Sequence, residues 1–254
     1  MTRVTATRIT GNTMSTVISD LPAGQPESVA DNLAGMGSFF IDPGAAARRI
    51  FRKWFWVGPL IVFSIVSSVA SYLMLPIIQH VMEVMPIPAG ADPGQFAKGM
   101  AMSMTITRIS MFITPLVAAI IFLIQTVVVY GSSSAMGIEA KFRPIFNLVA
   151  GCSLIQLLSS IAALIILKAK GDVSSMAELR PALGLDIFMP EGSNKYLTAF
   201  AGYFSVFEIW WIAMMVLIFS SAFRVSKGKA FAAIAPWVCI SLAFRVGSAM
   251  LQRS

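Results

Sequence analysis

VGPLIVFSIVSSVASYLML (57–75) contains no charged side chain. A hydrocarbon core of ~30 Å is crossed by about 20 apolar residues in a helix, and this stretch is close to that length. Four more of its kind follow: Met111 to Tyr130, Leu148 to Leu167, Tyr203 to Phe219 and Ala230 to Met250. The first four of the five hold no Lys or Arg. The chain therefore reads as all-α, a polytopic membrane bundle of five transmembrane helices. Residues 1–37 read as a disordered arm, and 38–254 as one membrane domain.

Just before the first stretch lies FFIDPGAAARRIFRKWFWVGPL (39–60). Asp42-Pro43 suits a helix start, Asp as cap and Pro in the first turn. From Ala45 to Phe55 a helical wheel gathers Arg48, Arg49, Arg52 and Lys53 on one face and Ile50, Phe51, Trp54 and Phe55 on the other. That pattern predicts a basic amphipathic interfacial helix with aromatics in the acyl boundary and cations at headgroups. An ordinary basic flank to the first span is the alternative. Arg48, Arg49, Arg52, Lys53 and Trp54 are the candidate contacts to anionic lipid.

Composition agrees with a membrane chain. Of 254 residues 57% are hydrophobic and only 12% charged, about half the charge of a typical soluble domain. The net charge of +7 has no basic stripe interleaved with aromatics outside the spans, so it points to cytoplasmic flanks and anionic lipid and not to nucleic acid. Lys and Arg concentrate in the arm, after the second span (Lys141, Arg143) and after the fourth (Arg224, Lys227, Lys229). The amino terminus is thus expected in the cytoplasm and the carboxyl terminus on the opposite side. No secretory signal peptide is visible, and Met14 is an alternative start to Met1.

Several chemistries lack their residues. A catalytic zinc needs three protein ligands, and the chain has a single histidine, His80. Cys152 and Cys239 lie inside apolar stretches and read as small core residues. His-Glu-x-x-His, Gly-x-Ser-x-Gly and phosphate-loop patterns are absent from the sequence. The expectation is a non-enzymatic protein with no metal and no cofactor.

Glu208 and Arg245 are the charged residues within the five stretches. An intramembrane ionisable group suggests function by default; a Glu near a helix end that reaches water is the simpler reading. The fourth and fifth spans run antiparallel, which brings Glu208 and Arg245 to similar depth as an ion pair. Gln125 and Gln156 suit hydrogen bonding between helices, and Trp210 an interface anchor or packing surface. Small-residue runs at Gly151 (GCSLIQLLSSIAA) and Ser64 (SIVSSVAS) suit close helix contact or a homo-oligomer. Residues 76–107 read as a Pro- and Gly-rich connection. Met100 to Met111 reads as a helical approach to the second span. Within 168–202, Ser175 and Glu178 have capping-box spacing.

Three segments together resemble the Yip (Ypt-interacting protein) domain family of integral membrane proteins, as found in bacteria. The first is residues 39–60, quoted above. The second is GIEAKFRPIFNLVAGCSLIQLLSSI (137–161). The third is FSVFEIWWIAMMVLIFSSAFRVSKGKAFAAIAPWV (204–238), with Ile209-Trp210 and the basic turn Ser226, Lys227, Gly228, Lys229, Ala230. The resemblance implies five membrane helices, a cytoplasmic amino terminus and residence in a bacterial inner membrane. Eukaryotic relatives are linked to trafficking and to prenylated GTPases and usually carry Asp-Leu-Tyr-Gly-Pro before the first span. That motif is absent here, so GTPase binding does not carry over. The role expected is a membrane-organising or trafficking-type scaffold, or the binding of membrane partners. Arg48, Arg49, Arg52 and Lys53 would serve anionic lipid, and Trp210, Lys227 and Lys229 the bundle and its turn. The rival is a small transporter or channel component using Glu208 and Arg245.

Overall fold

The computed structural model describes residues 29–84, 92–171, 173, 175, 178–190 and 192–250. Its helices are α1 (Val29–Ile41), α2 (Pro43–Arg49), α3 (Val57–Val84), α4 (Pro93–Ala135), α5 (Phe142–Lys170), α6 (Lys195–Tyr203), α7 (Val206–Phe223) and α8 (Lys227–Ser248), with a 3-10 turn at Leu185–Phe188. Five are long and apolar enough to cross a membrane: α3, the Phe112–Ala135 part of α4, α5, α7 and α8. They coincide with the five stretches read from the sequence. No strand forms among the described residues; Gly184 and Ser205 make an isolated bridge.

α5 is the axis of the bundle. It packs against α3, α4, α7 and α1, and its residues are almost continuously buried from Pro144 to Leu157. Its small residues explain how helices come so close. A Cβ added at Gly151 would strike the Phe39 ring, and Phe39 is itself fully buried. Phe39 stacks on Phe55 with ring centroids 5.0 Å apart. The small-residue run at Gly151 thus receives an aromatic from the chain's own amino-terminal segment.

That segment departs from expectation. The basic helix before the first span exists, but it is only α2, Pro43–Arg49, and stops short of Phe55. Asp42 starts it as foreseen, Oδ1 accepting the Ala45 amide at 2.9 Å. Beyond Arg49 the chain turns, so a single wheel no longer describes it. Ile50 and Phe55 are buried in the protein core, while Phe51 and Trp54 stay exposed. Only half of the predicted lipid face can meet lipid. α2 lies against α7 and α1 against α5, because Phe39, Ala46, Ala47 and Ile50 have protein surface to cover.

Two other boundaries move. The end of the expected arm is helical, α1 beginning at Val29; residues 1–28, Met14 among them, lie outside the described residues. The connection foreseen at 76–107 is largely helix. α3 runs through Pro76 to Val84, as membrane helices tolerate. α4 starts at Pro93, where Asp92 Oδ1 accepts the Gly94 amide at 2.7 Å. Residues 85–91 lie outside the described residues. The 43 residues of α4 span about 65 Å at 1.5 Å per residue, twice a hydrocarbon core. Ser175 and Glu178 do bond, Ser175 Oγ to Glu178 Oε1 at 2.9 Å. Yet 178–180 is turn and no helix follows towards Leu183, while 176 and 177 are outside the described residues.

Candidate functional site at the basic end of the bundle

Alternation of the spans brings three connections to one end: the lead-in turn 50–56 before α3, residues 136–141 between α4 and α5, and 224–226 between α7 and α8. This end collects the basic clusters.

Asn147, in the second turn of α5, organises the lead-in turn. It is fully buried. Its Nδ2 donates to the Ile50 and Arg52 carbonyls, each at 2.7 Å, and its Oδ1 accepts the Trp56 amide at 3.1 Å. The partners fix the amide's orientation, since carbonyls only accept and a backbone N–H only donates. One side chain thus satisfies three backbone groups of an irregular segment partly buried against the bundle, as buried backbone requires. Asn147 lies just before the third apolar stretch and was not singled out from the sequence; an Asn between Phe146 and Leu148 is the signal available.

The cations sit around this clamp. Arg48 is exposed, and Arg48 and Arg49 occupy the last turn of α2, where positive charge suits the helix dipole. Arg49 lies over Gly35, where an added Cβ would meet its guanidinium. The Arg52 carbonyl is held by Asn147. Lys53 stands 5.6 Å from the ring centre of Trp54, and Trp54 is exposed, as an interfacial anchor would be. Trp210 ties α7 to this segment: its Nε1 donates to the Phe40 carbonyl at 3.0 Å, and it meets the Phe40 ring edge-on at 6.0 Å. Lys227 and Lys229 are exposed in the first turn of α8, where Ser226 Oγ accepts the Lys229 amide at 3.3 Å.

Glu208 and Arg245 lie at the opposite end. Glu208 is in the first turn of α7, where a helix dipole favours negative charge. Ser205 Oγ accepts its amide at 3.1 Å, so Ser205-Val-Phe-Glu208 has the spacing of a capping box, a signal the sequence reading passed over. Tyr203, Arg245 and Gln156 are the polar groups that act on the Glu208 carboxylate. Arg245 is exposed and acts on Glu208 without making a contact ion pair with it. It also faces a second acid: a Cβ added at Gly202 would meet Asp186 Oδ2 at 2.8 Å and Arg245 Nη2 at 2.9 Å. The Tyr203 hydroxyl is 2.8 Å from Ser241 Oγ on α8. The expected pair is thus part of a wider cluster spread over the 3-10 turn, α6, α7 and α8. Among the described residues no three His, Cys, Asp or Glu come together as metal ligands.

No curated protein and no solved structure matches the chain. A family model does, the Yip1 domain, over residues 36–246. That match runs from Met36 in α1 through the Asn147 clamp and all five spans to Val246 in α8, and the chain belongs to the Yip1 domain family of membrane proteins.

Proposed function

We propose that this protein is a non-enzymatic organiser of the bacterial inner membrane, engaging anionic lipid and membrane partners at its basic end. The observation that carries the reading is the docked lead-in segment. Asn147 and Trp210 hold its backbone to the bundle, while Arg48, Lys53 and Trp54 are exposed. A pre-ordered cluster loses less freedom when it meets headgroups than a floppy basic tail would. The cation distribution supports a cytoplasmic amino terminus, since Lys and Arg near span ends favour that side. A carboxyl terminus on the opposite side follows from five spans. Anionic lipids of the cytoplasmic leaflet attract juxtamembrane cations by ~1 kcal/mol each.

The transporter alternative has weaker support. The first-turn position of Glu208, where negative charge suits the helix dipole, and its neighbours Tyr203 and Gln156 support a structural role for that carboxylate.

The test is affinity purification of the detergent-extracted protein with its native lipids, read by mass spectrometry. Anionic lipids or specific membrane proteins should co-purify and be lost when Arg48, Arg49, Arg52 and Lys53 are all changed to Gln. A partner-free protein carrying a small solute, indifferent to the four changes, would overturn the reading.

A further inference from the structure

Between the three connections at the basic end lies a cavity of about 500 Å³, a size that takes small ligands. Phe51 of the lead-in turn, Ile138 of the α4–α5 connection and Phe223 at the end of α7 give it an apolar floor. Phe51 and Phe223 meet edge-on at 6.1 Å. Lys141, Arg224 and Lys229, from three different elements, bring cations to it, against one carboxylate, Glu139. None of the three cations forms an ion pair among the described residues.

Lys141 and Lys229 also sit where a helix dipole disfavours them, and Arg224 has unusual backbone. Lys141 is the N-cap of α5 and provides no side-chain cap. Lys229 is in the first turn of α8, and neither first turn holds an acid. Positive charge at a helix N-terminus opposes the dipole. Arg224 has φ 52°, left-handed backbone that residues other than glycine adopt uncommonly, where helix ends usually place Gly or Asn. An anion in the cavity would offset the repulsion among the three cations and suit the α5 and α8 N-termini, while Arg224 sits between it and the α7 C-terminus.

We propose that this cavity is a phosphate-recognition site that takes the headgroup of an anionic phospholipid from the adjoining leaflet. The cations hold the phosphate by charge-assisted hydrogen bonds. Phe51, Ile138 and Phe223 face the glycerol and the first acyl carbons. A soluble phosphate ester offers the same anion but nothing for the apolar floor. The connections at span ends lie at headgroup depth, which gives a lipid direct access. The site is distinct from Arg48, Arg49, Arg52 and Lys53, and it rests on the proposed orientation only for which leaflet supplies the lipid.

The experiment is native mass spectrometry of the purified full chain with phosphatidylglycerol, phosphatidylcholine or glycerol 3-phosphate. The parent should retain one phosphatidylglycerol with roughly tenfold preference over phosphatidylcholine, which offers the same phosphate but adds a choline cation that the three cations repel. Lys141→Gln with Lys229→Gln should abolish that preference, and Arg224→Asn, which tolerates left-handed backbone, should reduce it. The four-fold Gln variant of the lead-in segment should keep that one lipid while losing the further anionic lipids that co-purify with the parent. Unchanged preference in either folded cavity variant would overturn the proposal. So would glycerol 3-phosphate binding as tightly as the lipid, which would make the site one for free phosphate esters. Preference lost only in the lead-in variant would overturn this site and leave the proposed function standing. Loss of the single lipid in the cavity variants alone, with the further anionic lipids lost in the lead-in variant, would support both readings.

Discussion

Asn147→Ala should cost about 3 kcal/mol of stability, worked as follows from its three hydrogen bonds. The bond to the Ile50 carbonyl is buried, while those with Arg52 and Trp56 are partly buried. A buried backbone group left without a partner costs ~1–3 kcal/mol, and a typical hydrogen bond nets ~0.5–1.5 kcal/mol. Taking ~2 for Ile50 and ~0.5 for each of the others, which water can reach, gives the total. Asn147→Asp should be worse than Ala. It keeps an acceptor for the Trp56 amide but sets a carboxylate oxygen against two carbonyls that can only accept. Reversible unfolding in mixed micelles with increasing dodecyl sulfate, followed by tryptophan emission, measures both. Trp54 and Trp56 flank the clamp and should report its loss first. An Ala variant within ~0.5 kcal/mol of the parent, the range of an ordinary surface change, would refute the clamp.

The same assay checks the close approach at α5. Gly151→Ala drives a methyl into the buried Phe39 ring and should cost ~1–3 kcal/mol as overpacking, with Phe39→Leu restoring part of it. Gly202, though buried, should tolerate Ala better, at about 1 kcal/mol, the low end of overpacking, because its nearest obstacles are the side-chain ends of Asp186 and Arg245. Trp210→Phe removes the bond to the Phe40 carbonyl and should cost ~1 kcal/mol, loosening α1 as seen by faster amide exchange there. Ser205→Ala should cost ~1 kcal/mol through loss of the α7 cap; no change on melting would argue against the capping role given to Ser205.

The spans were legible because apolar length is itself the physical requirement for crossing a bilayer. Each of the five stretches falls on a spanning helix, except that the fourth begins at Tyr203 in α6 and the fifth runs two residues past α8. The boundaries that moved are those where tertiary contact overrules local pattern. Pro76 reads as a helix end, yet α3 continues because neighbouring spans hold it. The wheel over Ala45–Phe55 has a correct period and a wrong extent, since Asn147 captures the backbone after Arg49 through contacts more than ninety residues apart in sequence. Such a pairing leaves no periodic trace. Glu208 was legible as an unusual charge, but its cap needed only the Ser three residues before it. The cavity cations were visible one by one; their convergence depends on how three connections fold over one end.

The proposed function requires that the basic end face the cytoplasm. The most direct measurement labels single cysteines in whole cells with a membrane-impermeant maleimide, in a background with Cys152 and Cys239 changed to Ala. Ser134→Cys reports the basic end and Ala182→Cys the opposite one; both positions are exposed. The account predicts that Ala182→Cys labels in intact cells and Ser134→Cys only after permeabilisation. Labelling of Ser134→Cys in intact cells, with Ala182→Cys protected, would contradict it.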